Sequence, residues 1–143
     1  MIILTAVGLL AMLACLALQV AASVIAANYF GRTSQIPLGP KPWRRIVVQF
    51  SVLMLVLMVG SFVQIILWAA LYRMFGALDD FQTAMYFSGV TFTSLGYGDV
   101  TLSGRIRMLA PLEAATGLMM FGITTALLIA AFQRATAKWA AET

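Results

Sequence analysis

Long stretches without a charged side chain constrain this sequence more than any other feature. Residues 1–31 and 46–72 contain no Asp, Glu, Lys or Arg, and residues 108–132 contain only one, Glu113. Each stretch is longer than the roughly 20 apolar residues that carry a helix across a hydrocarbon core about 30 Å thick. The chain is also 62% hydrophobic and 10% charged. These features predict an all-α integral membrane protein with three transmembrane helices.

The segment 32–45 interrupts the hydrophobic pattern between the first two stretches. Its prolines and glycine exclude a continuous helix, and it carries basic residues without an acidic one: Arg32, Lys41, Arg44 and Arg45. Basic loops stay on the cytoplasmic side of a membrane. We therefore expect an N-terminus outside the cell membrane, a cytoplasmic basic loop and a short cytoplasmic tail at 135–143. Aromatic belts would then place Trp43 and Trp139 at the inner interface, and Trp68 and Tyr72 at the outer one.

Other classes of protein fit the composition less well. The first stretch has no basic residue before Arg32 and is too long for a signal peptide, so we expect a retained, peripheral helix. The net charge of +4 forms no basic stripe of the kind that binds nucleic acid. Cys15 is predicted to be a packing residue. Since the chain has one cysteine and no histidine, we expect no zinc or haem cofactor.

Residues 81–98, between the second and third stretches, also lack charge but are rich in Ser, Thr and Gly. A fourth spanning helix would place the basic C-terminal residues outside, against the charge rule. We therefore expect a re-entrant segment with a short helix over 80–92, in which Asp79 caps the start and Gln82 completes a capping box. Irregular backbone at membrane depth must be buried by protein or line a watery cavity. The segment thus points to a pore.

The residues 91–99, Thr-Phe-Thr-Ser-Leu-Gly-Tyr-Gly-Asp, have the composition of an ion filter. Backbone carbonyls can replace the water around an ion if they all turn to one side of the strand. That requires positive φ at intervals, which Gly96 and Gly98 reach without steric cost. Tyr97 would point away from the ions and pack against Tyr86 and Phe87. The Ser94 hydroxyl would add a ring of oxygens at the inner end.

This motif resembles the filter of tetrameric potassium channels with a two-helix pore domain, particularly the bacterial ones. Their usual sequence is Thr-Val-Gly-Tyr-Gly followed by Asp, and Ser94 and Leu95 replace the first two residues here. The resemblance implies a pore domain over 46–134, with an outer helix 46–72, a pore helix 80–92, a filter 94–98 and an inner helix 108–132. Helix one, 1–31, falls outside it.

The resemblance also implies roles for individual residues. Potassium, as the permeant ion, would bind at Ser94, Leu95, Gly96 and Tyr97, and Gly98 would complete the filter. Asp99 would bond Tyr86, unless it merely attracts cations at the pore mouth, and further filter support would come from Thr91, Thr93 and Phe87. On the inner helix the matching positions are a hinge glycine, an aromatic behind the filter and a cavity threonine, namely Gly117, Phe121 and Thr125.

Several points stay open at this level. Gly117 and Gly122 could simply permit close helix packing. Glu113 should face protein rather than lipid, where it could bond hydroxyls of the pore helix or tune the filter as a support residue, unless it lies shallow enough to meet water. One loop supplies one wall of a filter, so we expect a homotetramer in the lipid bilayer. A non-selective cation channel and a non-conducting accessory protein are the alternatives. No residue set suggests an enzyme, and no arginine-rich helix suggests a voltage sensor.

Overall fold

A computed structural model describes residues 2–34 and 42–142, with side chains over 2–33 and 43–137. The elements in chain order are α1 (Ile2–Ser34), α2 (Pro42–Met74), α3 (Phe81–Phe92), a short 3₁₀ helix (Gly104–Met108) and α4 (Leu109–Glu142). No strand occurs within these described ranges. Three segments are long and apolar enough to span a membrane: Ile2–Thr33, Trp43–Met74 and Gly104–Ala137. The predicted all-α membrane fold with three spans is confirmed.

The spanning helices are longer than the hydrophobic stretches suggested. α2 begins at Pro42 rather than at 46, because proline suits the first turn of a helix, where its missing N–H is not needed. α4 continues to Glu142 instead of ending at 132, since its alanine-rich end favours helix. The separate tail expected at 135–143 is therefore largely helical. The centre of the basic loop, including Lys41, lies outside the described residues, as does the side chain of Trp139.

α1 packs along both α2 and α4, and small residues allow the close approach. A β-carbon added to Gly60 on α2 would lie 3.1 Å from the β-carbon of Ala22 on α1. At Gly8 the added atom would lie 2.6 Å from a methyl group of Leu112 on α4. Towards the other end of the bundle, Phe50 on α2 makes edge-on contacts with Phe30 on α1 and Phe132 on α4. The helix expected at the periphery is thus packed against both helices of the predicted pore domain.

Buried amide side chains also join α1 to its neighbours. The amide of Gln64 on α2 donates to the Gln19 carbonyl over 2.8 Å, and the Gln19 amide donates to the Thr124 hydroxyl on α4, also over 2.8 Å. Both glutamines are fully buried. Interhelical hydrogen bonds of this kind stabilise helix association in lipid, where hydrophobic attraction between helices is weak. The sequence alone gives no indication of this contact, because Gln19, Gln64 and Thr124 are far apart along the chain.

The prediction that Trp68 and Tyr72 form an outer interfacial belt is wrong. Both side chains are fully buried. They belong to a core cluster that α1, α3 and α4 complete, and the Tyr72 ring packs edge-on against Phe87 with centroids 5.2 Å apart. Neighbouring helices cover this face of α2, so the two aromatics pack inside the protein rather than at the membrane surface.

Candidate functional site

The start of α3 is fixed by Asp80. This residue has extended backbone, and its carboxylate accepts from the Thr83 backbone N–H over 2.8 Å. The Thr83 hydroxyl donates to the same carboxylate. These two bonds lower the pKa of Asp80 below its ordinary value. The expected cap, Asp79, is one residue too early, because the helix begins at Phe81 and Asp80 has Thr83 at the position that a cap requires.

The end of α3 turns directly into the candidate filter. The backbone N–H of Leu95 donates to the Val90 carbonyl and that of Ser94 to the Thr91 carbonyl, each over 2.9 Å. With Ser94 at a φ of 58°, these bonds form a Schellman cap, in which the residue after the helix adopts the left-handed conformation. Glycine usually occupies that position. Ser94 therefore lies in a less favourable backbone region for a residue with a β-carbon.

The loop 94–98 continues with alternating backbone conformations. Gly96 has a φ of 57° and Gly98 a φ of 80°, whereas Leu95 and Tyr97 are not among the positive-φ residues. An ordinary strand points successive carbonyls in opposite directions, and placing every second residue in the left-handed region changes that alternation. Leu95 and Tyr97 are 55% and 67% exposed in the single chain. The loop is therefore left largely uncovered by its own chain.

A hydrogen bond ties the far end of the loop back to α3. The Tyr86 hydroxyl donates to the Asp99 carboxylate over 2.6 Å. This bond lowers the pKa of Asp99 and raises the pKa of the Tyr86 hydroxyl. The loop is thus held at both ends, by the helix cap at Ser94 and by Asp99. A small cleft lined by Tyr86, Phe87, Gly96 and Asp99 separates the loop from the helix.

The remaining predicted support residues, Thr91, Thr93 and Phe87, make contacts within α3 and with α2. The Thr93 hydroxyl donates to the Gly89 carbonyl over 2.7 Å, and the Thr91 carbonyl accepts the cap bond from Ser94. Phe87 is turned towards Tyr72 on α2. The exposure of Tyr97 does not support the expected packing of its ring against Tyr86 and Phe87 within one chain, where Tyr86 instead bonds Asp99.

α4 contacts the end of α3 at Gly117. A β-carbon added there would overlap the backbone oxygen of Phe92 and lie 2.8 Å from its carbonyl carbon. One turn further on, the Phe121 ring packs edge-on against Phe92, with centroids 5.8 Å apart. The exposed Thr125 hydroxyl bonds back to the Phe121 carbonyl over 2.8 Å. The sequence predicts Gly117 to be either a hinge or a residue that permits close helix packing, and these contacts directly support close packing.

Glu113 is fully buried beside α3, at a junction of three helices. The Tyr72 hydroxyl on α2 donates to its Oε2 over 2.7 Å, and its Oε1 contacts the Ser88 hydroxyl on α3. The side chain therefore faces protein and bonds a pore-helix hydroxyl, one of the options considered from the sequence. Tyr72 was missed as its partner, although its hydroxyl at the end of an apolar stretch was the available signal.

Comparison with protein-family models returns a match over residues 51–134, to a family described as ion channel. The chain belongs to the ion channel family. The match begins in α2 and ends in α4, and so includes α3 and the loop 94–98, while α1 lies outside it. No curated protein and no solved structure matches the chain. The family is not one of enzymes, which agrees with the expectation from the sequence.

Proposed function

We propose that the channel is potassium-selective and conducts the ion passively, down its electrochemical gradient, through the loop 94–98. The observation that carries the proposal is the left-handed backbone at Ser94, Gly96 and Gly98. A filter must offer the ion successive rings of oxygens in place of its hydration shell, and carbonyls turned to one side of a strand can do so. Alternating backbone handedness is the conformation that this arrangement needs, and the spacing of the glycines permits it.

The proposed binding positions are the carbonyls of Ser94, Leu95, Gly96 and Tyr97, with the Ser94 hydroxyl at the inner end. The loop follows the C-terminal end of α3, which carries partial negative charge and favours a nearby cation. Asp99 and Tyr86 would keep the strand extended, since their hydrogen bond anchors its outer end. In this scheme Gly98 completes the filter, and Thr91, Thr93, Phe87 and Glu113 support it from behind.

A single loop cannot surround an ion, so the proposal requires four copies around a shared axis. The exposure of Leu95 and Tyr97 in the single chain supports this assembly. α4 also leaves apolar residues uncovered in the single chain, among them Leu118, which is 61% exposed. α4 would line the pore below the filter, where Thr125 faces the cavity, and α1 would lie towards the lipid. We place the N-terminus outside the cell membrane and the C-terminus in the cytoplasm.

Reconstituted liposomes test the proposal by comparing potassium and sodium flux through wild type and the variant Gly96→Ala. The substitution places a β-carbon at a φ of 57°, which costs about 1–2 kcal/mol and turns the local peptide away from the filter conformation. Gly76→Ala is the matched control, because Gly76 has a φ of 63° in the turn after α2, outside the filter. We expect Gly96→Ala to abolish selective potassium flux and Gly76→Ala to retain it.

Other outcomes would identify the alternatives. Equal potassium and sodium flux through wild type would indicate a non-selective cation channel of the same fold. Absence of flux from correctly assembled protein would indicate an accessory membrane protein. Unchanged selectivity in Gly96→Ala would remove the filter from residues 94–98.

A further inference from the structure

The buried carboxyl of Glu113 joins a continuous chain of polar groups that crosses three helices. Tyr72 on α2 donates to Glu113 on α4 over 2.7 Å, and Glu113 contacts the Ser88 hydroxyl on α3. The same Ser88 oxygen lies 2.9 Å from the Ile65 carbonyl of α2. Glu113, Tyr72 and Ser88 are all fully buried. The family match does not assign any function to these hydrogen-bonded polar groups.

A count of the hydrogens shared by these polar groups favours a neutral carboxyl at Glu113. A serine hydroxyl has one hydrogen, whereas Ser88 has two oxygen neighbours, Ile65 and Glu113. The Ile65 carbonyl can only accept. If Ser88 donates to it, the close contact between Ser88 and Glu113 needs a second hydrogen, which a neutral Glu113 supplies. Every contact is then satisfied in one direction, from Tyr72 to Glu113, then to Ser88 and Ile65.

An ionised Glu113 would fit the surroundings less well. The titratable groups facing it are Tyr72 on α2 and Cys15 on α1, and the facing group on α3 is Ser88. Among the residues that the structure describes, no lysine or arginine forms an ion pair with Glu113. Burying an unpaired carboxylate away from water is costly, whereas a neutral acid with both oxygens bonded is tolerated.

The position of Glu113 links this chain of groups to the candidate filter. Ser88 lies in the half of α3 that leads into the loop, and Gly117, one turn after Glu113, contacts the Phe92 carbonyl at the end of α3. The same segment of α4 therefore holds α3 at two points. Movement at Ser88 would tilt the helix whose end sets the conformation of Ser94 and Leu95.

We propose that Glu113 is a positioning residue that holds α3 as a neutral acid, relaying a hydrogen bond from Tyr72 to Ser88 and so maintaining the geometry of the filter. This inference rests on the proposed function for its effect on selectivity. Its chemical part, the proton on Glu113, does not depend on conduction.

Substitutions at Glu113 separate a hydrogen-bond relay from a charge and from simple packing. Glu113→Gln keeps an acceptor for Tyr72 and gains an N–H that donates to Ser88, so we expect its ratio of potassium to sodium flux to stay within about twofold of wild type. Glu113→Leu keeps the size but loses both bonds. We expect it to lower that ratio about tenfold at equal amounts of assembled protein, which corresponds to about 1.4 kcal/mol.

Two results would overturn the relay. If Glu113→Gln were as damaging as Glu113→Leu, the site would need a negative charge. If Glu113→Leu kept the wild-type flux ratio and only reduced the yield of folded protein, Glu113 would be a packing residue with no effect on the filter.

Infrared spectroscopy tests the proton directly, even if Glu113→Leu does not fold or the channel does not conduct. At neutral pH, purified wild type should show the carbonyl stretch of a protonated carboxylic acid, and Glu113→Gln should lack it. Asp80 and Asp99 in the loop region are exposed and have lowered pKa values, so they should be ionised under these conditions. A wild-type spectrum without this band would refute the proposal that Glu113 is a neutral acid. If the band is present but the protein shows no selective flux, the neutral Glu113 stands and only the proposed function is refuted.

Discussion

Replacing Gly117 with alanine tests whether α4 is built around the end of α3. The added β-carbon would overlap the Phe92 carbonyl oxygen and lie 2.8 Å from its carbonyl carbon. Carbon and oxygen atoms in proteins approach each other to about 3.3–3.6 Å even in favourable contacts. Since the obstacle is backbone rather than a flexible side chain, α4 and α3 have to separate.

The magnitude follows from a comparison of two glycines on the same helix. Gly122 has open space around it within the chain, so Gly122→Ala should gain the helix propensity of alanine, about 0.5–1 kcal/mol. Gly117→Ala gains the same helix propensity but also introduces the overlap with the Phe92 carbonyl. Overpacking typically costs about 1–3 kcal/mol. A rigid obstacle favours the upper end, so Gly117→Ala should be about 2–3 kcal/mol less stable than Gly122→Ala.

Unfolding in mixed detergent provides the measurement, and potassium flux from the same preparations tests whether the proposed filter moves with α3. We expect a lower midpoint and reduced flux for Gly117→Ala, and wild-type or higher stability for Gly122→Ala. Equal stability of the two variants, with gating altered only in Gly117→Ala, would contradict the packing argument and support a hinge.

Two further predictions concern side-chain hydrogen bonds. Gln19→Leu removes the bonds to Gln64 and Thr124 and should lower the free energy of unfolding by about 1–3 kcal/mol; the exposed Gln133→Leu is its control, and an equal effect of both would exclude the amide contacts as the cause. Tyr86→Phe should raise the pKa of Asp99 towards its ordinary value of 3.8, as an NMR titration of that carboxyl would show. Because the bond to Tyr86 lowers this pKa, its stabilising effect is present above the ordinary pKa and is lost as the pH falls through the folded value. An unshifted pKa in Tyr86→Phe would mean that the bond does not form in solution.

The features that the sequence predicts best depend on local pattern. The spanning helices follow from uninterrupted hydrophobic runs, because lipid leaves the backbone few alternatives. The left-handed conformation at Gly96 and Gly98 follows from residue type and spacing. The ends of helices are predicted less accurately. α4 continues beyond the apolar stretch because its alanine-rich end favours helix regardless of hydrophobicity.

The features that escaped prediction depend on residues distant in sequence. From the sequence alone Tyr72 is expected at the membrane interface, because nothing near it in the chain indicates its bond to Glu113 on α4. Gln19 in the first helix gives no sign of Gln64 or Thr124. Ser94 is a further case, since glycine or asparagine is the usual residue at the left-handed position of a helix cap. The filter motif predicts positive φ at the two glycines, whereas for Ser94 it predicts an oxygen ligand and not a left-handed backbone.

The hydrogen bonds of Gln19 have a consequence for any attempt to reduce this channel to a minimal pore. A shortened chain that starts at α2 would leave the buried Gln64 amide and the Thr124 hydroxyl facing lipid, where polar groups without partners are costly. The first helix also borders the half of α4 beyond Gly117, so bending α4 there would require α1 to follow or its bond to Thr124 to break. The first helix, which lies outside the family match, therefore restricts how α4, the proposed pore-lining helix, can move.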